Sequence, residues 1–330
     1  MSVEQGLYRG VSTDSFISTA ELRKEYAIEG KSADPEFVTP LPAEKTFKGY
    51  YSPKFKKRAE EFKDSFELQT NHVEIKLPDD FNCINFIPDC HVGSGFTDYD
   101  RIEKELDVIL GTPNSYVIFL GDIIDGFFFN GAQMEEAEQT PEQIQYMNAM
   151  FKHVADNKRL LAAVGGDHDL WSKKMGVNPY ADFAEKYHAH YLHGMCYVTL
   201  KVGEESYNIT MAHRLPGSSI YNNTHPQMRS ANRHGGAFGS DIIVSAHNHK
   251  KGYSRDTVKG FGNERQDSHY LALGAYKSQD DYSRKNGWVE QDPQEMYGAS
   301  VILNPHQHEV IYQNSIIDAG SEMDRRLSAK

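Results

Sequence analysis

From residue 72 onward, short runs of apolar and β-branched residues are separated by polar turns and by longer stretches of helical periodicity. Such runs, bounded by turn residues, are typical of buried strands. Nine runs predict strands: HVEIKL (72–77), CINFIP (83–88), SYVIFL (115–120), RLLAAV (159–164), CYVTLKV (196–202), SYNITMA (206–212), DIIVSA (241–246), YLALGA (270–275) and ASVILN (299–304).

Three of the longer stretches predict helices, at 99–110, 141–156 and 180–188. Asp98 and Thr140 precede the first two, and both are residue types that favour a helix N-terminus. Strands that alternate with helices are typical of an α/β fold. We therefore predict that fold class for the main part of the chain.

The first 70 residues have a different pattern, rich in turn-forming residues and closed by the charged run SPKFKKRAEEFKDSF. We divide the chain into an N-terminal extension or arm (1–70), one α/β domain (71–316) and a C-terminal tail (317–330). A chain of 330 residues, 39% of them hydrophobic, is long enough for one large domain with such an extension.

Composition restricts the partners and the compartment. A net charge of -12 gives no global positive field that would attract nucleic acid or an anionic membrane, although local basic patches remain open. Three cysteines without a CxxC pair do not resemble a disulfide framework, which suits a reducing compartment. The chain shows no export signal and no run of about 18 apolar residues. We expect a cytoplasmic protein without a membrane partner.

Polar side chains of metal-ligating type follow five of the predicted strands where they end. Loops at the carboxyl ends of strands carry the ligand sites of α/β sheets, so we expect these side chains to gather. Taken singly, each would be an ordinary turn carboxylate or core histidine, and the prediction depends on the ordered set. Asp89 and His91 follow CINFIP, Asp122 follows SYVIFL, Asp167 and His168 follow RLLAAV, His213 follows SYNITMA, and His247 follows DIIVSA.

These residues belong to five ordered motifs: Asp89-Cys90-His91, Gly121-Asp122-Ile123-Ile124-Asp125, Gly166-Asp167-His168-Asp169, a lone His213, and His247-Asn248-His249. The set resembles the calcineurin-like metallophosphoesterase superfamily, whose pattern is D-x-H, G-D-x-x-D, G-N-H-[DE], H and G-H-x-H. The resemblance covers about residues 84–250. It implies a two-sheet α/β sandwich flanked by helices.

The resemblance also implies a centre of two divalent metal ions. One metal would be held by Asp89, His91 and His249, the other by Asp167, His213 and His247, with Asp122 bridging both. Mixed carboxylate and imidazole ligands suit Mn, Fe and Zn, of which we favour Mn. A hydroxide shared by two such ions can attack phosphorus in line, while the metals neutralise the phosphate oxygens.

Two further residues have catalytic roles in this prediction. His168 directly follows a proposed ligand, so its imidazole would face the bound ester and protonate or stabilise the leaving oxygen. Asp125 would set the tautomer of His168 and raise its pKa, with Asp169 as a second candidate for that role.

The chain departs from the family pattern in three places. Asp167 replaces the usual Asn, which retains a metal-binding oxygen, removes an amide donor and adds a negative charge. We therefore expect tighter metal binding and weaker phosphate binding. Ala246 replaces the usual Gly, which is a small change. No Arg follows Asp125, so the D-R-G element of the protein serine/threonine phosphatases is missing, which argues against a phosphoprotein phosphatase.

Two segments are candidates for substrate binding. The segment 213–240 is longer than a simple strand connection, and is either a lid whose Arg214, Arg229 and Arg233 reach substrate phosphates or a solvated surface loop. The segment 249–285 interleaves basic and aromatic residues, which suits base stacking and phosphate binding but also an ordinary surface.

Together these features predict a metal-dependent phosphoester hydrolase, with a phosphodiesterase or nuclease acting on nucleotides or nucleic acid favoured. A phosphomonoesterase acting on a small molecule or a protein is one alternative. A catalytically inert metal-binding scaffold is another. A third places a docking surface for a partner protein or nucleic acid in residues 1–70, through Lys54, Lys56, Lys57 and Arg58.

Overall fold

The computed structural model describes residues 7–9, 16–18, 47–67, 72–126, 137–171, 180, 186–187, 189–192, 194–233, 239–259, 265–278, 284–285, 287 and 292–329. The chain divides into two compact units, Met1–Leu68 and Gln69–Lys330. All the motif residues lie in the second unit.

The N-terminal unit contains an antiparallel pair of short strands, β1 (Leu7–Arg9) and β2 (Phe16–Ser18). One π-helical turn, Phe47–Tyr51, precedes α1 (Ser52–Glu67). The charged run at the end of the N-terminal segment is therefore helical. Four basic residues of this run lie in the first half of α1 and are solvent exposed: Lys54, Lys56, Lys57 and Arg58.

The second unit contains two six-stranded mixed sheets with helices on their outer faces. Its strands are β3 (His72–Leu77), β4 (Asn82–Ile87), β5 (Ser115–Phe119), β6 (Leu160–Val164), β7 (His190–Leu192), β8 (Cys196–Val202), β9 (Glu205–Ala212), β10 (Ile242–Ser245), β11 (Gly252–Lys259), β12 (Arg265–Ala272), β13 (Ala299–Leu303) and β14 (Val310–Gln313). Its described helices are α2 (Tyr99–Gly111), α3 (Thr140–Asp156), α4 (Asp167–Trp171), α5 (His225–Arg233) and α6 (Ile316–Ser328), with a 3₁₀ turn at Pro293–Glu295.

Parallel neighbours in each sheet determine where the motif loops emerge. Sheet I has the order β14-β13-β4-β5-β6-β7, and sheet II has the order β11-β12-β10-β9-β8-β3. β4 to β7 run parallel in sheet I, and β9, β10 and β12 run parallel in sheet II. Because parallel strands end on the same side, the loops after β4, β5 and β6 leave one edge of sheet I, and those after β9 and β10 leave one edge of sheet II.

The core lies between the sheets and continues under the helices. Ile84 and Ile118 of sheet I pack against the side of sheet II that carries Val244. On the outer face of sheet I, Phe119 stacks on Phe151 of α3, with ring centroids 4.3 Å apart. Burial on both faces explains why β4 and β10 carry apolar residues at consecutive positions rather than in strict alternation.

This architecture confirms the predicted α/β sandwich flanked by helices. The nine predicted strands are present, and the largest difference is at 270–275, where the strand runs from Arg265 to Ala272. The helix predicted at 99–110 is capped by Asp98, which accepts a hydrogen bond from the amide of Arg101 at 3.0 Å.

Other element predictions need correction or lie outside the described residues. Gln139, not Thr140, occupies the N-cap of α3, because Pro141 takes the first-turn position that suits proline. The helix predicted at 180–188 falls mostly outside the described residues. The short strand β7 and the edge strands β11 and β14 were not predicted, since their sequences are brief or mix charged and apolar residues.

The residues expected to form a C-terminal tail include α6. Ser315 caps this helix, and Ile316, Ala319 and Met323 are buried against the outer face of sheet I and α2. The spacing of these three residues follows one helical face, a pattern that the tail prediction did not use.

Two composition-based expectations can be compared with the structure. Cys83, Cys90 and Cys196 are free and buried, in keeping with a chain that has no disulfide framework. Among the described residues, no helix has the length and apolar composition that crossing a membrane requires.

Candidate metal centre

Hydrogen bonds join the ends of strands from both sheets at one edge of the sandwich. The amide of His91, after β4, donates to the backbone oxygen of Asp122, after β5, at 3.0 Å. His213, after β9 in sheet II, donates from ring Nδ1 to the backbone oxygen of Leu120 in sheet I at 2.8 Å. The motif loops of the two sheets therefore meet.

The backbone at this edge is strained. Among the described residues, eight non-glycine residues have a positive φ, and five of these eight are proposed metal ligands. A left-handed conformation costs on the order of 1–2 kcal/mol for a residue with a Cβ. Strain of this kind persists where the surrounding structure imposes it, commonly at functional sites. The five are Asp89 (40°), His91 (49°), Asp122 (50°), His247 (73°) and His249 (53°).

Two glycines allow the loops after β5 and β6 to approach each other. A Cβ on Gly166 would lie 2.1 Å from the amide nitrogen of Asp122, and a Cβ on Gly121, where φ is +84°, would lie 2.6 Å from the backbone of Gly166. The close approach lets the amide of His168 donate to Asp122 Oδ1 at 2.8 Å. The glycines of the second and third motifs are thus required by packing at this site.

Asp89, His91 and His249, which we call the first ligand group, lie together. His249 Nε2 is 3.2 Å from Asp89 Oδ1 and 3.1 Å from His91 Nε2. The other oxygen of Asp89 accepts a hydrogen bond from the amide of His247 at 3.1 Å. Asp89 and His91 are buried, whereas His249 is partly exposed. These are the three residues predicted for one of the two metals.

Asp122, His213 and His247, the second ligand group, lie beside them. His213 Nε2 is 3.0 Å from Asp122 Oδ2 and 3.3 Å from His247 Nδ1. Asp167, predicted for this metal, lies at the margin of the group: it is half exposed, and its Oδ2 is 3.5 Å from His247 Nδ1. The bridging role predicted for Asp122 stays a prediction.

Both groups fit divalent metal ions. Ligand atoms about 2.0–2.2 Å from one metal lie roughly 3.0–3.5 Å apart, and the closest pairs here are 3.0 to 3.3 Å apart. Asp89 Oδ1 is buried and accepts no hydrogen bond, although His249 Nε2 is 3.2 Å away. A buried carboxylate oxygen of this kind is costly unless a cation satisfies it. The donor set could therefore hold two divalent ions.

Burial and charge affect the two groups differently. Burial lowers the pKa of His91 to about 4, so its imidazole is neutral near pH 7, as a metal ligand must be. Burial also acts to lower the pKa of His213, but the negative charge of Asp122 outweighs it and raises that pKa to about 10. Metal binding at the second ligand group would therefore release a proton from His213.

His168 is in contact with both ligand groups. Its amide donates to Asp122, and its ring meets the ring of His91 edge-on, with centroids 4.7 Å apart. Trp171, three residues later in α4, stacks on the His168 ring with centroids 4.3 Å apart. The sequence analysis missed Trp171, although its spacing places it one helical turn from His168.

The structure corrects the role expected for Asp125. His168 Nδ1 lies 2.5 Å from the backbone oxygen of Asp125, so a carbonyl rather than the carboxylate sets its tautomer. The Asp125 carboxylate lies instead 2.7 Å from His91 Nδ1 and accepts from Lys277 Nζ at 3.1 and 3.2 Å. Burial acts to raise the pKa of Asp125, but the hydrogen bond from His91 and the charge of Lys277 hold it below its usual value.

Asp169, the second candidate partner of His168, joins the motif loops to each other. It is buried and accepts hydrogen bonds from the amides of Ile123, Ile124 and Gly166 and from the hydroxyl of Tyr180. Burial, with the nearby negative charge of Asp122, raises its pKa to about 6. Its carboxylate supports the backbone of the motif loops.

The segment predicted to be a lid is only partly a loop. It contains α5, which packs on the outer face of sheet II through Met228 and Ala231. The helix was missed because its sequence, HPQMRSANR, is mostly polar. A helix therefore occupies His225–Arg233 within the segment predicted to be a lid.

The three arginines of this segment lie in different settings. Arg214 is exposed next to His213, and its charge is one of the causes, after burial, that lower the pKa of His247. Arg229 is exposed, and a Cβ on Gly217 would lie 3.1 Å from its Cδ. Arg233 is the last residue of α5. Arg214 therefore acts on the second ligand group through its charge.

The basic and aromatic segment 249–285 is not one continuous exposed surface. Lys251, Tyr276 and Lys277 are buried. Tyr253 is stacked on Tyr312, with ring centroids 3.9 Å apart. Lys251, Tyr276 and Lys277 pack within the protein, so the expectation that this segment stacks on bases and binds phosphates is wrong for these three, whereas Tyr253 stays partly exposed.

Comparisons with known proteins concern the fold. The sequence matches no protein-family model and no curated protein. The chain is similar to a solved metallophosphoesterase from Sphaerobacter thermophilus, with 15% identity, a TM-score of 0.35, and coverage of 76% of this chain and 95% of that one. It is also similar to nuclease MPE from Pseudomonas putida, with 14% identity, a TM-score of 0.31, and coverage of 69% of this chain and 86% of that one. A third similar structure is Vacuolar Protein Sorting 29 from Cryptosporidium parvum, with 15% identity, a TM-score of 0.35, and coverage of 71% of this chain and 96% of that one.

The architecture of this chain and the positions of its motifs support one another. Two six-stranded sheets form a sandwich with helices on its outer faces, and strand ends from both sheets meet at one edge. Side chains from four of the five motifs supply the two ligand groups there, and the remaining motif contributes His168 beside them. The chain therefore has the two-sheet sandwich, flanked by helices, that its resemblance to the calcineurin-like metallophosphoesterases implies.

Proposed function

We propose that the protein is a phosphoester hydrolase that uses two divalent metal ions, and that its substrates are phosphodiesters of nucleotides or nucleic acid. One observation supports this most directly: two neighbouring ligand groups lie at one edge of the sandwich, with His168 in contact with both. The strained backbone at five of the ligands fits a site retained for chemistry rather than for stability.

The metal-binding residues in this proposal are those of the two ligand groups. Asp89, His91 and His249 would hold one ion, and Asp122, His213 and His247 the other, with Asp167 at the margin of the second group and Asp122 shared. Bound divalent ions supply an activated water and neutralise charge on the phosphate. Mn²⁺ is the ion that we favour.

His168 is the proposed general acid. Its Nδ1 lies against the backbone oxygen of Asp125, which leaves Nε2, 4.0 Å from Asp122 Oδ2, as the nitrogen nearest the second ligand group. From that position Nε2 can give a proton to the leaving oxygen. Trp171 restricts the rotation of the ring by stacking on it.

Charge at the site favours a diester over a monoester. Asp167 presents a half-exposed carboxylate 3.5 Å from His247. A phosphomonoester carries up to two negative charges near neutral pH and a diester carries one, so the monoester is repelled more strongly. Arg214 supplies one exposed positive charge near the second ligand group. Burial of Lys251 and Lys277 removes two cations from the surface expected to bind nucleic acid, so small nucleotide diesters have as much support as polymers.

The test compares hydrolysis of bis(p-nitrophenyl) phosphate and p-nitrophenyl phosphate by metal-stripped protein reloaded with Mn²⁺. We expect metal-dependent turnover with higher kcat/KM for the diester. His213→Ala should abolish it by removing a ligand of the second group.

His269→Ala is the matched control, because His269 is buried like His213 but lies in β12, 3.0 Å from the Tyr253 hydroxyl and outside both ligand groups. It should keep the activity even if the protein becomes less stable. A preference for the monoester would overturn the diester proposal. Two bound metals with no turnover of either ester would favour the scaffold alternative.

A further inference from the structure

Lys277 is a buried lysine at the metal centre. It is 6% exposed, and its Nζ lies 3.1 and 3.2 Å from the two oxygens of Asp125, which is also buried. Its backbone pairs with Thr97, which follows the first motif. An ammonium group withdrawn from water is unfavourable unless a counter-ion compensates it, and both oxygens of Asp125 provide that compensation.

The Asp125 carboxylate connects Lys277 to the first ligand group. Asp125 Oδ1 is 2.7 Å from His91 Nδ1, a distance at which the ring N–H donates to the carboxylate. With its hydrogen on Nδ1, His91 presents the lone pair of Nε2 to Asp89 and His249. A carboxylate that orients a metal-binding imidazole in this way raises its affinity for the metal.

A second buried lysine has a different environment. Lys251 is 7% exposed, and its Nζ donates to the backbone oxygens of Met296 at 3.2 Å, Gly298 at 2.7 Å and Asn314. Those carbonyls belong to loops of the framework, whereas the partner of Lys277 is a carboxylate that contacts a proposed ligand. Burial of a lysine as such does not require the contact that Lys277 makes.

We propose that Lys277 is a positioning residue of the first ligand group: its ammonium orients the Asp125 carboxylate, which in turn presents His91 Nε2 for metal binding. The inference rests on the proposed function only in taking the first ligand group to be a metal site. The contact of Lys277 with Asp125 leads through that carboxylate to His91, so we expect its effect at the first ligand group.

Metal binding tests this inference without relying on turnover. The full-length protein, stripped of metal, is titrated with Mn²⁺ by calorimetry, and bound metal is counted after gel filtration. Wild type should bind two ions per chain. Lys277→Met, which keeps the length of the side chain and removes the charge, should weaken one of them by about 10- to 100-fold, the usual effect of losing a partner that orients a ligand.

Two backgrounds identify the site that is affected. His213→Ala leaves only the first ligand group complete, and there Lys277→Met should weaken the remaining ion by the same factor. His249→Ala leaves only the second group complete, and there Lys277→Met should change the affinity by less than twofold. Equal weakening in both backgrounds, or none in the first, would overturn the proposal.

Two further variants separate positioning from stability. Lys251→Met should lower the thermal unfolding temperature while the protein still binds two ions. The double variant Lys277→Met/Asp125→Asn leaves no unpaired buried carboxylate and keeps an amide oxygen that can accept the hydrogen bond from His91. It should therefore bind Mn²⁺ several-fold more tightly than Lys277→Met alone. A double variant weaker than Lys277→Met would contradict the role of Asp125 in the relay. If wild type binds two ions but hydrolyses no ester, the proposed function fails and this inference stands.

Discussion

The two ligand groups are held in place by different means. In the first group, His91 is oriented by a buried carboxylate that pairs with a buried lysine. In the second, His213 is oriented by the backbone oxygen of Leu120 at 2.8 Å. The carboxylate of the first group is fully buried, whereas Asp167, at the margin of the second, is half exposed.

The difference separates two ways of building a metal site. A backbone carbonyl depends only on the strand that carries it, so the second group is secured by the sheet itself. A side-chain relay depends on two charged residues that must compensate one another inside the protein. The first group should therefore be sensitive to substitutions far along the chain, and the second mainly to changes in its own loops.

The largest expected effect comes from Asp122→Ala. If Asp122 is shared, the substitution removes a ligand from both groups, whereas Asp89→Ala removes one from the first group alone. We expect the Asp122→Ala protein to bind less than one Mn²⁺ per chain. Its diesterase activity should fall by more than roughly 100-fold, the loss typical of substituting a residue that only orients a metal ligand.

Metal counting and initial rates measure both effects. The control is Asp267→Ala, which should retain two ions. Asp267 belongs to β12, and its carboxylate pairs with Arg255 at the protein surface. An Asp122→Ala protein with one ion of unchanged affinity would show that the two groups are independent.

His168 is in contact with both groups, so its substitution tests whether they act on one substrate. His168→Asn should lower kcat by about 10²- to 10⁴-fold, the usual range for a lost general acid, while two ions stay bound. The loss should be largest for diesters with poor leaving groups, which need the proton most.

Trp171 extends the same test. Trp171→Leu removes the stacking and should lower kcat by less than His168→Asn does, with the same dependence on the leaving group. Trp171→Phe should restore kcat. Uniform losses for good and poor leaving groups would argue against proton transfer by His168.

Gly166→Ala perturbs the loop next to the second group. A Cβ there would lie 2.1 Å from the amide of Asp122, so the loops after β5 and β6 must separate. We expect the free energy of unfolding to fall by about 1–3 kcal/mol, which is the usual cost of overpacking. The ion at the second ligand group should bind more weakly than the ion at the first ligand group. Urea denaturation gives the first quantity. Gly111→Ala is the matched control, since a Cβ at Gly111 meets nothing within 4 Å.

The smallest expected effect is that of Asp167→Asn. Because Asp167 is half exposed, its charge should contribute about 0.2–1 kcal/mol, less than roughly fivefold in affinity. We expect slightly weaker metal binding at the second group and a lower KM for the monoester, with both changes reduced at high salt. Calorimetry and steady-state kinetics at two salt concentrations measure them. A change confined to the first group would contradict the position assigned to Asp167.

The sequence predicted best the elements that are buried on both faces. β4, β5 and β10 carry apolar residues at consecutive positions, because a strand between two covered faces has no side that faces the solvent. β11 is an edge strand whose sequence, GYSRDTVK, mixes charged and apolar residues, and α5 is mostly polar. Such elements are stabilised by neighbours that are distant in sequence, so their own sequences carry a weak signal.

Local patterns in the amino-acid sequence were enough to predict the α/β class and the order of the candidate ligands, because strand periodicity and short motifs are local properties of the chain. The contacts of those residues depend on how the folded chain brings distant segments together. The tertiary structure brought Lys277 to Asp125, turned the Asp125 carboxylate to His91 rather than His168, and stacked Trp171 on His168. Lys277 and Asp125 are 152 residues apart, and no local pattern encodes a pairing between two buried charges that forms only when the strand ends converge.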